Sequence, residues 1–392
     1  VLYHSKVVKF HNQQPIMRVY LDNAATTPIS PEVIEAMLPV MQLQYGNPSS
    51  VHAEGRKVRA IIEEARKIIA KNMGASIGEI FFTSGGTESN NMALKCAVRD
   101  LGVQRIITSK IEHHCVLHTA SHLEQQQQVQ LDFVELNKNG VVNYAHLESL
   151  LQQTDKKTLV SLMHANNEIG TLLDLNSVAA LCQEYDAYFH SDTVQTVGHF
   201  PINVTETPIS FLSGAAHKFH GPKGIGFIYI NSNNLIRPFI DGGAQERNMR
   251  AGTENVYGIA GMAKALELAL AHMEERRIHI LEVRNYLAEQ LRANFNDLIF
   301  NTDLDADSLY TVLSVSFPPS PKGELLLFSL DIEGISVSGG SACSSGADAG
   351  SHVIAALQGT DSQRKTIRFS FSHYNTKTEM DFVVEKLKAI LG

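Results

Sequence analysis

From Glu79 to about Ile230, short unbroken apolar runs alternate with stretches of helical period. Ile80-Phe-Phe-Thr83, Arg105-Ile-Ile-Thr108, Leu131 to Leu136 and Leu159 to Met163 read as strands. Ala187 to His190, Ile209 to Leu212 and Ile225 to Tyr229 continue the series. Strands that lack polar alternation are buried on both faces, so the pattern predicts a mainly parallel, seven-stranded sheet covered by helices. Ahead of them, Val58, Ile61, Ile62, Ala65, Ile68 and Ile69 form one apolar helix face. Ile259, Met262, Ala263, Leu266, Leu270 and Met273 form another. After about residue 275 the helices lengthen and strands become few, notably Leu313–Phe317 and Ile367–Phe371. The last helix opens on a capping box, Thr376 with Glu379, and points Met380, Val383, Val384, Leu387 and Leu391 inward.

The pattern divides the chain into a large α/β domain over 33–275 and a smaller α+β C-terminal domain over 276–392. Residues 17–32 join the small domain. Residues 1–16 precede Met17, lack the apolar core of a signal peptide, and read as an upstream or cloning-derived extension.

Composition narrows the function classes. With 392 residues, 44% of them hydrophobic, the chain can bury a large divided core. A formal net charge of −8 argues against nucleic-acid and anionic-membrane binding, and no apolar run approaches the roughly 18 residues of a membrane span. Four cysteines, scattered and without a CxxC pair, suit a reducing cytoplasm rather than a disulfide framework or a structural zinc site.

Seven stretches carry candidate chemistry. Lys218 lies in the Gly-rich turn Ser213-Gly-Ala-Ala-His-Lys-Phe-His-Gly-Pro-Lys-Gly-Ile-Gly226, just after an apolar strand. A desolvated lysine there has a lowered pKa, and a neutral amine condenses with an aldehyde; a surface lysine in a turn is the plain alternative. Thr83-Ser-Gly-Gly-Thr-Glu-Ser-Asn-Asn91 joins a strand to a helix, where glycines and free N–H groups can receive an anion. Asp192 ends a strand in His190-Ser-Asp-Thr-Val-Gln195 and can hold a pyridinium nitrogen protonated, or simply cap a helix. Glu112-His113-His114 supplies an imidazole at the same sheet edge. Its helical repeat with His118 and His122 suggests a metal site that no nearby carboxylate or thiol completes. Asn167 offers a neutral donor, and Arg368 either captures a carboxylate or makes a structural ion pair. Cys343 sits among small residues, Val337 to Ser351, where a nucleophile that must travel would be placed.

Together these stretches resemble the NifS-like cysteine desulfurases of the class V aminotransferase family, which feed sulfur to iron–sulfur cluster assembly. The resemblance also covers Leu21-Asp-Asn-Ala-Ala-Thr-Thr-Pro28, Gly46-Asn-Pro-Ser-Ser50, Asn166-Asn-Glu168 and Arg250-Ala-Gly-Thr253, and so spans nearly the whole chain. It implies a fold-type I enzyme that uses pyridoxal 5'-phosphate (PLP) and works as a homodimer. Lys218 would hold the cofactor covalently. Gly86, Thr87 and His217 would bind its phosphate, with Thr253 reaching in from the other subunit. Asp192 would meet the ring nitrogen, Gln195 and Asn167 the oxygen side, and His113 the ring face. Arg368, with Asn167, would hold the substrate. Lys218 and His113 would move protons while Cys343 takes sulfur from L-cysteine as a persulfide, leaving L-alanine; it would then pass sulfur to an acceptor such as a cluster scaffold. The likeness assigns no resident metal, though Cys343 could ligate a cluster transiently. A selenocysteine lyase or aminotransferase is the alternative enzyme, and a non-catalytic scaffold of this fold the alternative of another class. Two departures stand out: Ala215-Ala216 replaces Ser-Gly, implying one phosphate-binding hydroxyl fewer, and Asp348-Ala-Gly350 replaces Leu-Glu-Pro.

Overall fold

The computed structural model describes residues 17–153, 155–321, 323–340, 350–358 and 363–392. A short strand, Val19–Tyr20 (β1), comes first. Seven more follow: Ile80–Thr83 (β2), Arg105–Thr108 (β3), Gln130–Phe133 (β4), Thr158–Ser161 (β5), Tyr188–Asp192 (β6), Phe211–Ala215 (β7) and Gly226–Ile230 (β8). These seven form one sheet in the order β2-β8-β7-β6-β5-β3-β4. Pairing is parallel from β7 through to β4, and β8 alone runs antiparallel to both its neighbours. The expected strands are thus all present and mainly parallel.

β8 reverses the direction twice across the sheet, so β2 points the same way as β6 and β7. The turns after β2, β3, β5, β6 and β7 therefore leave from one edge. That edge, outside the carboxyl ends, is where open α/β sheets hold ligands. Both faces are covered. Val58, Ile62 and Ile69 of the helix Ala53–Met73 pack with Ile259, Met262 and Leu266 of the helix Val256–Ala271 against one face. Met92, Cys96 and Ala97 of the helix Gly86–Leu101 pack with Val116 and Leu123 of the helix His114–Gln125 against the other.

A second core lies C-terminal. Ile299–Phe300 (β9), Val312–Phe317 (β10), Ile335–Ser336 (β11) and Lys365–Ser370 (β12) belong here, with β10 between β9 and β12 in an antiparallel sheet. The helices Met273–Asn294 and Lys377–Leu391 cover it through Val283, Leu287, Met380, Val383 and Leu387. The capping box forms as the spacing predicts, with Thr376 Oγ1 accepting the Glu379 N–H and Glu379 Oε2 accepting the Thr376 N–H.

The N-terminal segment links the two cores. β1 pairs in parallel with β11, and Val19 and Leu21 are buried in the second core. Ala24 N–H donates to Ser370 Oγ at 2.9 Å, and Thr27 N–H donates to the His217 carbonyl at 2.9 Å. Residues 20–30 thereby lie across the turn that carries Lys218.

Candidate active site

The sheet-edge turns and the N-terminal segment enclose a cleft of about 250 Å³. Gly86, Thr87, His113, Asn167, Asp192, Gln195, His217, Lys218 and Arg368 all line it. Those nine positions are spread over 283 residues of sequence, and the parallel topology brings them together because each follows a strand with the same polarity or faces one that does.

One end is built for an anion. Gly85 has φ 151°, a conformation that favours glycine, and it releases the chain from β2 into the helix Gly86–Leu101. A Cβ on Gly86 would lie 2.5 Å from Val194 Cγ2, so only glycine lets this helix start approach the turn after β6. The helix contributes unpaired N–H groups and the positive end of its dipole, and Thr87 and His217 reach the same cleft. Burial, then Lys218 and Lys223, pushes His217 down to about 4, leaving a neutral imidazole near neutral pH. Its Nδ1 lies 3.2 Å from Thr26 Oγ1.

Asp192 occupies the floor. It is buried, with Oδ2 accepting the Asn90 amide at 2.6 Å and Oδ1 accepting the Val194 N–H at 3.0 Å. The residues after it form turns rather than a helix, so this aspartate caps no helix. Lys218 donates from Nζ to the carbonyls of Ala24, at 2.5 Å, and Ala25, at 2.9 Å. Gln195 Nε2 donates to the same Ala24 carbonyl at 3.0 Å.

His113 caps the helix His114–Gln125, its Nδ1 accepting the Cys115 N–H at 3.2 Å. Burial is the largest influence on it and holds its pKa below the ordinary histidine value, although Asp192 acts in the opposite sense. Arg368 is only 1% exposed. Its Nη2 donates to Asp22 at 2.8 Å and its Nη1 to the Asn167 carbonyl at 3.0 Å, while the buried Nε has no partner. It therefore makes the ion pair that sequence left as an alternative, and an orphaned donor remains beside the cleft.

Two expected residues stand apart. Thr253 is exposed and does not line the cleft of its own chain, although Arg250 pairs with Glu88 in the first turn of Gly86–Leu101 at 2.8 Å. Cys343 lies outside the described residues; its flanking helix, His352–Gln358, returns to the site, with His352 Nε2 2.9 Å from the Glu112 carbonyl. His114 packs against His118 and His352 at ring separations of 5.0 and 4.4 Å. Among the described residues no group of three or more ligating side chains is arranged to hold a metal, and no helix is long and apolar enough to cross a membrane. The sequence reading passed over Asn90, Cys115 and the Ala24 and Ala25 carbonyls, because neither a buried amide nor a backbone acceptor has a local signature.

The donor set fits a flat, phosphorylated pyridine aldehyde: an anion cradle, a buried carboxylate, an amine and an unsatisfied guanidinium Nε share one cleft. The aminotransferase class-V family pattern matches residues 19–383, and the chain belongs to that family. A cysteine desulfurase IscS of Dictyoglomus turgidum is 44% identical, over 95% of this chain and 94% of that protein. A putative cysteine desulfurase, IscS 1, of Bacillus subtilis is 41% identical over 95% of this chain and 99% of that protein. Among solved structures, a NifS-like protein superposes with a TM-score of 0.88 at 38% identity, covering 96% of this chain and 99% of that one. One described as SspA in complex with cysteine gives 0.77 at 30% identity, over 91% and 100%.

Proposed function

We propose that the protein is a cysteine desulfurase: it converts L-cysteine to L-alanine, with the sulfur retained on Cys343 as a persulfide. The observation that carries this reading is the convergence of Lys218, Asp192, His113 and Arg368 on one cleft beside a helix-start anion cradle. The 39–44% identity to several desulfurases supports the reaction class, and the cysteine held by the SspA neighbour supports the substrate.

Pyridoxal phosphate, when bound, supplies an electron sink for the pair left at Cα when an amino acid loses its α-proton. Thr87, His217 and the N–H groups at the Gly86 helix start would hold its phosphate, and Lys218 would bind it covalently through Nζ. Asp192 would face the ring nitrogen, held in orientation by Asn90 and the Val194 N–H. Gln195 and Asn167 would serve its oxygen side, and His113 its face. Arg368 would take the substrate carboxylate, for which Nε is a donor already desolvated and unmatched. Lys218, once displaced, and His113 would carry protons between donor and acceptor atoms. The sulfur balance needs no outside oxidant: L-cysteine and one enzyme thiol become L-alanine and one enzyme persulfide.

We read the enzyme as a cytoplasmic homodimer, in which Thr253 serves the phosphate of the other protomer and a cluster scaffold or similar protein accepts the sulfur. Cys96, Cys115 and Cys182 are free thiols, which suits a reducing compartment. Borohydride reduction and peptide mapping should find the pyridoxyl adduct on Lys218. Cys343→Ala should keep the cofactor's absorbance and lose persulfide formation. An adduct elsewhere, or full persulfide transfer by Cys343→Ala, would overturn the assignment.

A further inference from the structure

Asn90 is fully buried in the second turn of the helix Gly86–Leu101 and makes four polar contacts. Its Oδ1 accepts the Ser213 hydroxyl at 2.6 Å and lies 3.1 Å from His190 Nε2. Its amide nitrogen donates to Asp192 Oδ2 at 2.6 Å and to Cys115 Sγ at 3.2 Å. Cys115 Sγ lies 3.0 Å from His113 Nδ1, the same nitrogen that accepts the Cys115 backbone N–H.

The proton directions along this path follow from the donor inventory. An amide NH₂ only donates, so the sulfur is an acceptor from Asn90. A backbone N–H only donates, so Nδ1 carries no proton in the neutral ring. The proton between Sγ and Nδ1 is therefore the thiol's. Burial first, and the charge of Asp192 second, push Cys115 up to about 12, so the thiol keeps that proton across the working pH range. The path thus runs in one sense, from the amide through the thiol to the imidazole.

We propose that Asn90 and Cys115 are positioning residues that hold His113 as a neutral imidazole with its proton on Nε2. The inference rests on the reading of His113 as a proton-transfer group at the cofactor. Protonating Nδ1 would require the thiol to turn away and the backbone N–H of Cys115 to lose its acceptor, so the path resists the cationic form. Other groups also face His113. Asp192 at the end of β6 favours the cation; Lys218 after β7, His352 of the helix His352–Gln358 and His118 one turn along its own helix oppose it. Glu112 and His114 flank it in the chain, the His114 ring 6.3 Å away. A substitution at Cys115 leaves all of these in place, so a change in His113 reports the thiol.

The test uses holoenzyme labelled with ¹⁵N-histidine, the His113 imidazole signal being identified by its loss in His113→Gln. The wild type should show Nδ1 unprotonated and Nε2 as N–H. Cys115→Ala should raise the midpoint of that signal's titration by about one pH unit, the worth of one hydrogen bond. The acid limb of kcat/KM should move with it. Cys115→Ser keeps a donor and should return both to near the wild-type values. A Cys115→Ala enzyme whose imidazole signals and midpoint match the wild type overturns the proposal, as does a wild-type ring protonated on Nδ1. The imidazole signal is read without turnover, so its outcome is independent of whether the protein desulfurates cysteine.

Discussion

Glu112 is the group whose removal should change stability most distinctively with pH. Its side chain is 1% exposed. Oε1 accepts the Ser109 hydroxyl at 3.0 Å and the Met163 N–H at 2.9 Å, while Oε2 has no partner. Burial dominates those two bonds, and with Asp192 nearby the carboxyl rises from its usual 4.5 to about 8. Between these values the unfolded chain has released the proton and the folded chain still holds it. Stability from this group is therefore complete below the unfolded value and is lost as pH rises, at about 1.4 kcal/mol per pH unit. From pH 5 to 8 the loss is on the order of 4 kcal/mol. Glu112→Gln cannot ionise and keeps an oxygen for Ser109 and Met163, so it should lack this slope. Its amide would meet the same partnerless space as Oε2, at a fixed cost of about 1–3 kcal/mol that does not vary with pH. The assay is urea unfolding of both holoenzymes at pH 5, 6, 7 and 8, at one protein and cofactor concentration. Relative to the wild type, the variant should gain steadily with rising pH. A difference that stays constant across the four values would refute the argument.

Arg66 and Glu246 form a bidentate pair at 2.8 and 2.9 Å, both side chains 2% exposed, and Glu246 also accepts the Phe82 N–H at 2.7 Å. Arg66→Met strands a buried carboxylate and should cost about 3–5 kcal/mol in chemical denaturation, most of which the added change Glu246→Leu should recover. Gly86→Ala forces a Cβ against the stiff Val194 side chain. Overpacking of about 1.4 kcal/mol or more at this cradle should lower pyridoxal phosphate affinity at least tenfold, as measured by equilibrium dialysis, and Val194→Ala should restore it.

The local layer of this protein was legible in its sequence. Unbroken apolar runs mark the strands of the large sheet, because a strand buried on both faces has no polar side to alternate with. Thr376 and Glu379 mark a helix start, because the capping bonds span only three residues. The turns bearing Gly86, His113, Asp192 and Lys218 also announced themselves, since glycine and polar clusters interrupt the apolar pattern where a strand ends. What each turn would face was not legible. Asp192 reads equally as a helix cap until the strand order sets it against Asn90, 102 residues away. Arg368 finds Asp22 across 346 residues, and Lys218 finds the Ala24 carbonyl across 194. Cys115 reads as one more small apolar residue until the packing of the helices Gly86–Leu101 and His114–Gln125 puts its thiol between an amide and an imidazole. Sequence period determines which residues are buried and which segments are regular, since those follow from neighbours along the chain. Which polar groups meet in the cleft, and so which protons are held there, is decided by the order in which seven strands pair, and no local pattern encodes that order.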